Sequence, residues 1–274
     1  MAKEIREALA TLRAEMGDYL AALYISPLTD GTDAENVLFY NVGVSAFRGF
    51  GRSGVKFERG FRGAPDPPTP RPYPCYTRYE VSAKDLLGRC WRRGGPNSAT
   101  WPEVPFHWTL KNGRPRIINE YTPAGRFWLA LKECQIGTDP GQRPLNQFWM
   151  ELVLHVPTSL WNRQSLNLTA AAKPLFDGSI AVLQSHTGCM LPGALQKLRR
   201  QLGSQYPGDD EVERMLREPS GAVLGPRHDL VRAGGKSLWN PRDDDCVVGV
   251  LKTEEASSDS WALSGTVAAA VPVV

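Results

Sequence analysis

Hydrophobic and polar residues recur with clear periods at several places along the chain. The clearest pattern is in the middle, where residues 147–156 (QFWMELVLHV) form a nearly continuous apolar run, typical of a strand buried on both faces. In residues 171–183 the apolar side chains recur at helical spacing, and Pro174 suits such a helix only in its first turn. We therefore predict a buried strand followed by a helix that begins near Ala171.

The rest of the chain shows both helical and strand patterns. Residues 3–23 carry apolar positions at intervals of three and four, which predicts an amphipathic helix, and residues 36–42 (NVLFYNV) predict a buried strand. Two further helices are predicted at 194–202 and 209–216. Further strands are predicted at 76–82, 106–110, 116–121, 246–251 and 261–271, with an Asn112-Gly113 hairpin turn, and residues 127–136 fit either structure. The expected fold class is α+β, with mixed β-sheets packed against helices.

Two parts are predicted from the order of these elements. Residues 1–145 form a β-rich N-terminal part with a leading helix, and residues 146–274 form an α/β part. One continuous domain is the alternative, because 274 residues suit one large domain or two smaller ones.

Composition and charge narrow the class of protein. The formal net charge of +3 and the pI near 8.6 are mildly basic, which allows contact with nucleic acid without requiring it. The five cysteines include no Cys-x-x-Cys pair, so reduced thiols are expected rather than a zinc site or a disulfide framework. Residues 1–23 are too charged for a signal peptide, and no segment reaches the ~20 apolar residues that span a bilayer. We expect a cytoplasmic protein with no membrane partner.

A stretch that mixes aromatic and basic residues, 44–62 (VSAFRGFGRSGVKFERGFR), is a candidate binding surface. Rings that stack on bases and cations that contact phosphates are what a single-stranded or distorted nucleic acid requires. The alternative is a hairpin that turns at 52–54, with its phenylalanines in the core and its arginines in water. Exposed basic residues are also expected on the helix at 194–202. The candidate nucleic-acid-binding residues are Arg48, Arg52, Lys56, Arg59, Arg62, Arg199 and Arg200.

Acidic residues and one lysine are the candidates for chemistry. Lys173 and Asp177 lie one helical turn apart, so their side chains share a face near the start of the predicted helix. Asp243, Asp244 and Asp245 precede a predicted strand, and three adjacent like charges require solvent, a cation or a basic group. The sequence contains no complete phosphate-binding loop, no GxSxG motif and no HExxH motif.

The order of three short motifs resembles that of the RusA-type Holliday junction resolvases. The motifs are 167–169 (NLT), 173–177 (KPLFD) and 239–245 (WNPRDDD). The family has an Asp-x-Asp-Asn-x-x-Lys segment that runs into a helix, an Asp one turn further on, and an Asp-Asp pair that opens the next strand. The resemblance covers the last third to half of the chain. It implies a resolvase-like C-terminal core in which residues 188–236 are a helical insertion.

A site is implied by the same resemblance. The residues in its catalytic positions are Lys173, Asp177, Asp244 and Asp245. Asp244 and Asp245 are also the metal ligands that it implies. The two leading acids of the family fall on Asn167 and Thr169, which are poor ligands for a hard cation and are expected at the end of a strand facing Lys173. The resemblance therefore predicts weak binding of Mg²⁺, which aspartates at both positions would strengthen.

Three functions are compatible with these features. The first is a nucleic-acid-associated protein of DNA recombination and repair, which binds branched or distorted DNA with weakened or lost endonuclease activity. Its expected partners are DNA and a second copy of the chain in a homodimer. The second is a small-molecule enzyme that reuses the fold, with Lys173, Asp177 and one acid from 243–245 in a pocket. The third is a structural or adaptor protein without a chemical site.

Overall fold

Eight strands from both halves of the chain form one mixed sheet in the computed structural model. The structure describes residues 2–11, 19–25, 33–61, 76–82, 89–139, 145–161, 166–188, 192–233 and 237–273. The α-helices are α1 (Ala2–Thr11), α2 (Ala124–Lys132), α3 (Thr158–Trp161), α4 (Leu168–Val182), α5 (Pro192–Leu202) and α6 (Asp209–Arg217). A π-helix (Asn36–Tyr40) and 3-10 helices at Val44–Phe47, Gly203–Gln205 and Asp243–Asp245 complete the described helical elements.

Strands in the described residues fall into one large sheet and two small ones. The strands are β1 (Tyr19–Ile25), β2 (Gly54–Gly60), β3 (Tyr76–Ser82), β4 (Trp91–Phe106), β5 (Gly137–Thr138), β6 (Phe148–Val156), β7 (Ser185–His186), β8 (Pro226–Arg227), β9 (Val231–Ala233), β10 (Ser237–Trp239), β11 (Cys246–Glu255) and β12 (Trp261–Pro272). The large sheet has the order β3-β1-β2-β11-β6-β12-β4-β5, and the small ones pair β9 with β10 and β7 with β8. The expected α+β class is confirmed.

Two parallel strand pairs sit within the otherwise antiparallel large sheet. β1 runs parallel to β2, and β11 runs parallel to β6. β11 also pairs with β2, and this strand pairing connects residues on either side of the predicted boundary at 145/146. The two predicted parts therefore share one sheet.

Helices α2 and α4 cover one face of this sheet. Ring contacts link them to it: Phe176 of α4 lies 5.0 Å from Phe57 of β2, and Phe127 of α2 lies 4.9 Å from Phe106 of β4. All four rings are buried, as are the leucines at 152, 154, 251 and 263 on the same face. This packing fixes α4 against the sheet.

Most long periodic segments fold as the sequence predicts. The strands at 76–82, 147–156, 246–251 and 261–271 and the helices at 171–183, 194–202 and 209–216 are present, with ends shifted by a few residues. Residues 127–136, which fitted either structure, contribute mainly to α2. The Asn112-Gly113 turn is present, with Gly113 at φ +79°, but residues 107–121 form only one isolated bridge rather than paired strands.

Several predictions of local structure are wrong. Residues 36–40 form a π-helix, because a short apolar run fits a buried helix as well as a strand. The predicted helix over 3–23 is helical only as far as Thr11 in the described residues, and β1 occupies 19–25. Helix α4 begins at Leu168, so Pro174 lies inside it rather than in its first turn. Residues 52–54 do not close a hairpin, because β2 pairs with β1 and β11.

Cys134 and Cys246 are free thiols, and Cys90 is buried. Cys75 and Cys189 lie outside the described residues. Within the described helices, none combines the length and apolar character that a membrane crossing requires.

Candidate functional site

The ammonium group of Lys173 lies among four carboxylates. Lys173 Nζ is 3.3 Å from Asp177 Oδ1, 3.3 Å from Asp243 Oδ2, 3.6 Å from Asp33 Oδ2 and 3.6 Å from Glu35 Oε1. We call these five residues the acid–lysine cluster. The structure therefore brings the predicted pair Lys173 and Asp177 together with acids from two other segments.

Three segments far apart in sequence position the cluster. Asp33 and Glu35 immediately precede the π-helix, and Lys173 and Asp177 lie one turn apart on α4. Asp243 opens the 3-10 helix that leads into β11. Because β11 and α4 both pack in the core, the turn that precedes β11 lies against the middle of α4, where Lys173 and Asp177 project.

Glu35 is the most deeply buried member of the cluster. Its residue exposure is 1%, and both carboxylate oxygens are buried without a hydrogen bond from any described residue. Its described partner is the ion pair with Lys173 at 3.6 Å. Burial raises the pKa of Glu35 well above its usual range, and only the charge of Lys173 among the leading causes acts in the opposite direction.

The charges of the cluster are unbalanced. Burial raises the pKa of Asp177 to about 7 and that of Asp243 to about 7, although Lys173 opposes both changes. Burial alone would lower the pKa of Lys173, but the carboxylates, led by Asp177 and Glu35, raise it. One ammonium group cannot neutralise four ionised carboxylates, so the cluster requires bound protons or a further cation.

Three of the acids are arranged to suit a metal ion. Single carboxylate oxygens of Asp33, Glu35 and Asp243 all lie within 4.8 Å of one another. Carboxylate oxygens are the ligands that Mg²⁺ and Ca²⁺ prefer, and the Glu35 oxygens lack a described hydrogen-bond donor. The donor set and the buried, unsatisfied carboxylate fit a hard divalent cation.

Asp244 and Asp245, the metal ligands implied by the resemblance, take other positions. The described ion pairs of Lys173 include Asp243 but neither Asp244 nor Asp245. The Asp245 carboxylate accepts a hydrogen bond from Arg242 Nε at 2.6 Å. The main-chain carbonyl of Asp244 accepts from Arg59 Nη1 at 3.2 Å. The 3-10 turn thus directs one acid of the three to Lys173.

Asn167 and Thr169 bind the main chain of another segment. Asn167 is the N-cap residue of α4 and Thr169 lies inside this helix, so their predicted location at a strand end is wrong. Asn167 Nδ2 donates to the Val44 carbonyl at 2.9 Å, and Thr169 Oγ1 donates to Asn167 Oδ1 at 2.7 Å. An aspartate at 167 would place a carboxylate against the Val44 carbonyl oxygen. The geometry therefore gives no reason to expect that aspartates at 167 and 169 would strengthen Mg²⁺ binding.

The predicted basic surface at 44–62 is only partly exposed. Arg48 is exposed and Arg52 is half-buried. Lys56 and Arg59 are 6% and 3% exposed, since both lie on the interior strand β2, which corrects their assignment to a nucleic-acid surface. Arg62 lies outside the described residues.

The aromatic residues of that stretch belong mainly to the core. Phe47 and Phe57 are buried, and Phe57 packs against Phe176. The alternative prediction, with phenylalanines in the core, therefore describes their burial better than a stacking surface does.

Arg199 and Arg200 are exposed on α5, as the sequence predicts. Arg199 Nη2 binds Asp209 Oδ2 at 2.7 Å, and its guanidinium lies 5.5 Å from the ring centre of Tyr206. Arg199 is therefore tied to α6.

Sequence reasoning missed Asp33 and Glu35. The available signal was an Asp-x-Glu pair directly before an apolar run, the same spacing as the two leading acids of the resolvase family. The apolar run after this pair was predicted as a strand rather than as a helix. Comparison of the chain with protein-family models, curated proteins and solved structures finds no match.

Proposed function

We propose that the protein is a metal-dependent endonuclease that acts on branched or distorted DNA. The observation that carries this proposal is the convergence of Asp33, Glu35 and Asp243 beside Lys173. Weakened cleavage was expected because Asn167 and Thr169 replace two acids. In the cluster, Asp33 and Glu35 supply two carboxylates from a different segment, so the reason for expecting lost activity no longer holds.

Each residue of the cluster has a role in this proposal. Asp33, Glu35 and Asp243 would hold the cation, and a bound Mg²⁺ would supply Lewis-acid activation of a phosphate oxygen and of a water molecule. The ammonium group of Lys173 would balance the negative charge that develops on the phosphodiester during cleavage. Asp177 accepts a hydrogen bond from Lys173 Nζ at 3.3 Å and so orients it.

Basic residues outside the cluster would contact the DNA backbone. Arg48 and Arg200 are exposed, and Arg52 is partly exposed. Their contacts would make DNA affinity fall as salt rises, because cations that bind phosphates release counterions. The homodimer and the small-molecule enzyme stay as predictions.

Adjacent aspartates provide a matched test of this proposal. Asp243→Asn removes a carboxylate of the cluster, whereas Asp244→Asn changes the neighbouring residue, whose described contact uses its main chain. With Mg²⁺ and a labelled four-way junction, we expect cleavage by the native chain and the Asp244→Asn variant. Asp243→Asn should lose more than the ~10–100-fold that outer-shell partners of a metal typically cost.

Binding is measured in the same series by mobility shift with four-way, single-stranded and duplex DNA at several salt concentrations. Salt-sensitive binding without cleavage by the native chain would favour a DNA-binding protein that has lost its activity. Equal loss of cleavage in the two variants would reject Asp243 as the specific ligand. Absence of binding to every DNA form would reject the proposal.

A further inference from the structure

Helix α4 contains a proline directly after the lysine of the acid–lysine cluster. Pro174 has no N–H group, so the carbonyl of Ala170, four residues earlier, loses its ordinary helical donor. A buried carbonyl without a partner is costly. The interruption lies in the turn of helix that carries Lys173.

Tyr40 supplies the missing hydrogen bond. Its hydroxyl donates to the Ala170 carbonyl at 3.2 Å and accepts from the Lys173 main-chain N–H at 3.3 Å. Burial raises the pKa of Tyr40, so the hydroxyl keeps its proton at neutral pH. Tyr40 is also the last residue of the π-helix that follows Glu35. One hydroxyl group thus connects the segment of two acids to the main chain at the lysine.

We propose that Tyr40 is a positioning residue, which holds Lys173 among the carboxylates by replacing the helical hydrogen bond that Pro174 removes. Lys173 has four carboxylates within 3.3–3.6 Å of its Nζ, so a small shift of its main chain changes several charge interactions at once. The catalytic consequence of this positioning rests on the proposed function, whereas the positioning itself does not.

Two substitutions separate this role from a purely structural one. Tyr40→Phe removes the hydroxyl and keeps the ring. Pro174→Ala restores an N–H that can donate to Ala170, so the double variant no longer needs the hydroxyl. Pro174→Ala alone is the matched control, because Tyr40 still holds both groups.

The first measurement is the NMR chemical shift of the Lys173 side-chain nitrogen, Nζ, in metal-free protein at one fixed pH. In the native chain this atom lies 3.3 Å from both Asp177 Oδ1 and Asp243 Oδ2. Tyr40→Phe should displace Lys173 from these carboxylates and so change the chemical shift of Nζ. The double variant should return the chemical shift towards the native value, and Pro174→Ala alone should leave it unchanged.

The second measurement is junction cleavage with Mg²⁺. Tyr40→Phe should lower kcat roughly 10-fold with little change in KM, as expected when a group that orients a catalytic side chain is lost. The double variant should recover most of this loss.

An unchanged Lys173 Nζ signal in Tyr40→Phe, even with a lower melting temperature, would overturn the proposal in favour of a packing role. A changed signal that the double variant does not recover would overturn it as well, since the bond to Ala170 would then not be the cause. If the native chain does not cleave DNA, the proposed function fails, and the Lys173 signal still decides the role of Tyr40.

Discussion

Single residues set the charge balance of the acid–lysine cluster. With all four acids ionised, Lys173 leaves the cluster with a net negative charge in a largely buried place. The raised pKa values of Asp177 and Asp243, both about 7, show how protons relieve this imbalance. A divalent cation would relieve it without protons, so proton and metal binding should compete.

The raised pKa values of Asp177 and Asp243 predict that the stability of the fold depends on pH. The folded pKa of each aspartate lies above the ordinary value of 3.8, so the folded chain binds more protons than the unfolded chain between about pH 4 and pH 7. The contribution of these groups to stability therefore falls as pH rises through this range, by at most about 1.4 kcal/mol per pH unit for each proton. Urea unfolding at pH 5 to 8 with a chelator measures it.

The matched comparison is the Asp177→Asn/Asp243→Asn variant, whose stability should change less over the same range. Mg²⁺ should also reduce the decline in the native protein, because the cation replaces protons. A native protein that gains stability relative to this variant between pH 5 and 7 would contradict the prediction.

For single residues, the sequence predicted the contact between residues close together in the chain and missed the contacts between residues far apart in it. Lys173 and Asp177 were paired because one helical turn fixes their spacing. Asp33 and Glu35 reach Lys173 across about 140 residues, and no periodicity in the chain encodes that contact. Among three adjacent aspartates, the choice of Asp243 depends on the 3-10 turn at 243–245, which the expectation of a strand start did not include.

Close contact between two helices is the main feature at the scale of elements. A Cβ atom added to Gly178 of α4 would lie 2.6 Å from the Ala124 carbonyl oxygen and 2.9 Å from Phe127 Cβ of α2. Real Cβ atoms do not approach main-chain oxygen so closely. The absence of a side chain at 178 therefore allows α2 and α4 to pack against each other.

Gly178→Ala should destabilise the protein by about 1–3 kcal/mol, as overpacking does, despite the better helix propensity of alanine. The control is Gly193→Ala on the exposed part of α5, which should be neutral or gain up to ~1 kcal/mol. Urea unfolding of both variants checks the prediction. A gain in stability from Gly178→Ala would show that α2 and α4 can separate at no cost.

Long periodic elements were predicted well, whereas short apolar runs were not. Residues 246–251 form a strand that is buried on both faces, as the prediction for residues 147–156 also expected, whereas residues 148–153 alternate between buried and half-buried positions, so only one face of that part of β6 is fully buried. Residues 36–40 have a similar composition but form a π-helix, in which Leu38 and Phe39 are buried. Only the tertiary contacts that each segment makes in the folded protein distinguish the two cases.

At the scale of the whole molecule, the strands of the first half flank those of the second. β3, β1 and β2 lie on one side of β11, β6 and β12, and β4 and β5 lie on the other side. Residues 1–145 therefore supply two outer groups of strands that have no direct pairing with each other. The predicted boundary at 145/146 falls between strands of a single sheet.

A fragment of residues 1–145 should consequently show no cooperative unfolding, since the strands that join its two groups are absent. The full chain should unfold in a single transition in urea, with the same midpoint by circular dichroism and by tryptophan fluorescence. A cooperative transition in the fragment would indicate that the two parts fold independently. Two separated transitions in the full chain would indicate the same.

The position of β11 and β12 also determines the order in which the sheet is completed during translation. Its outer strands leave the ribosome first, and residues 246–272, which lie on both sides of β6, leave it about 90 residues after β6. Until then β2, β4 and β6 expose unpaired edges, which are sites of aggregation in nascent chains. The acids at 33 and 35 likewise remain without Asp243 until then. During synthesis the sheet is thus completed from its outer strands to its central ones. Ribosomal pausing before residue 246 should therefore increase the dependence of the nascent chain on chaperones.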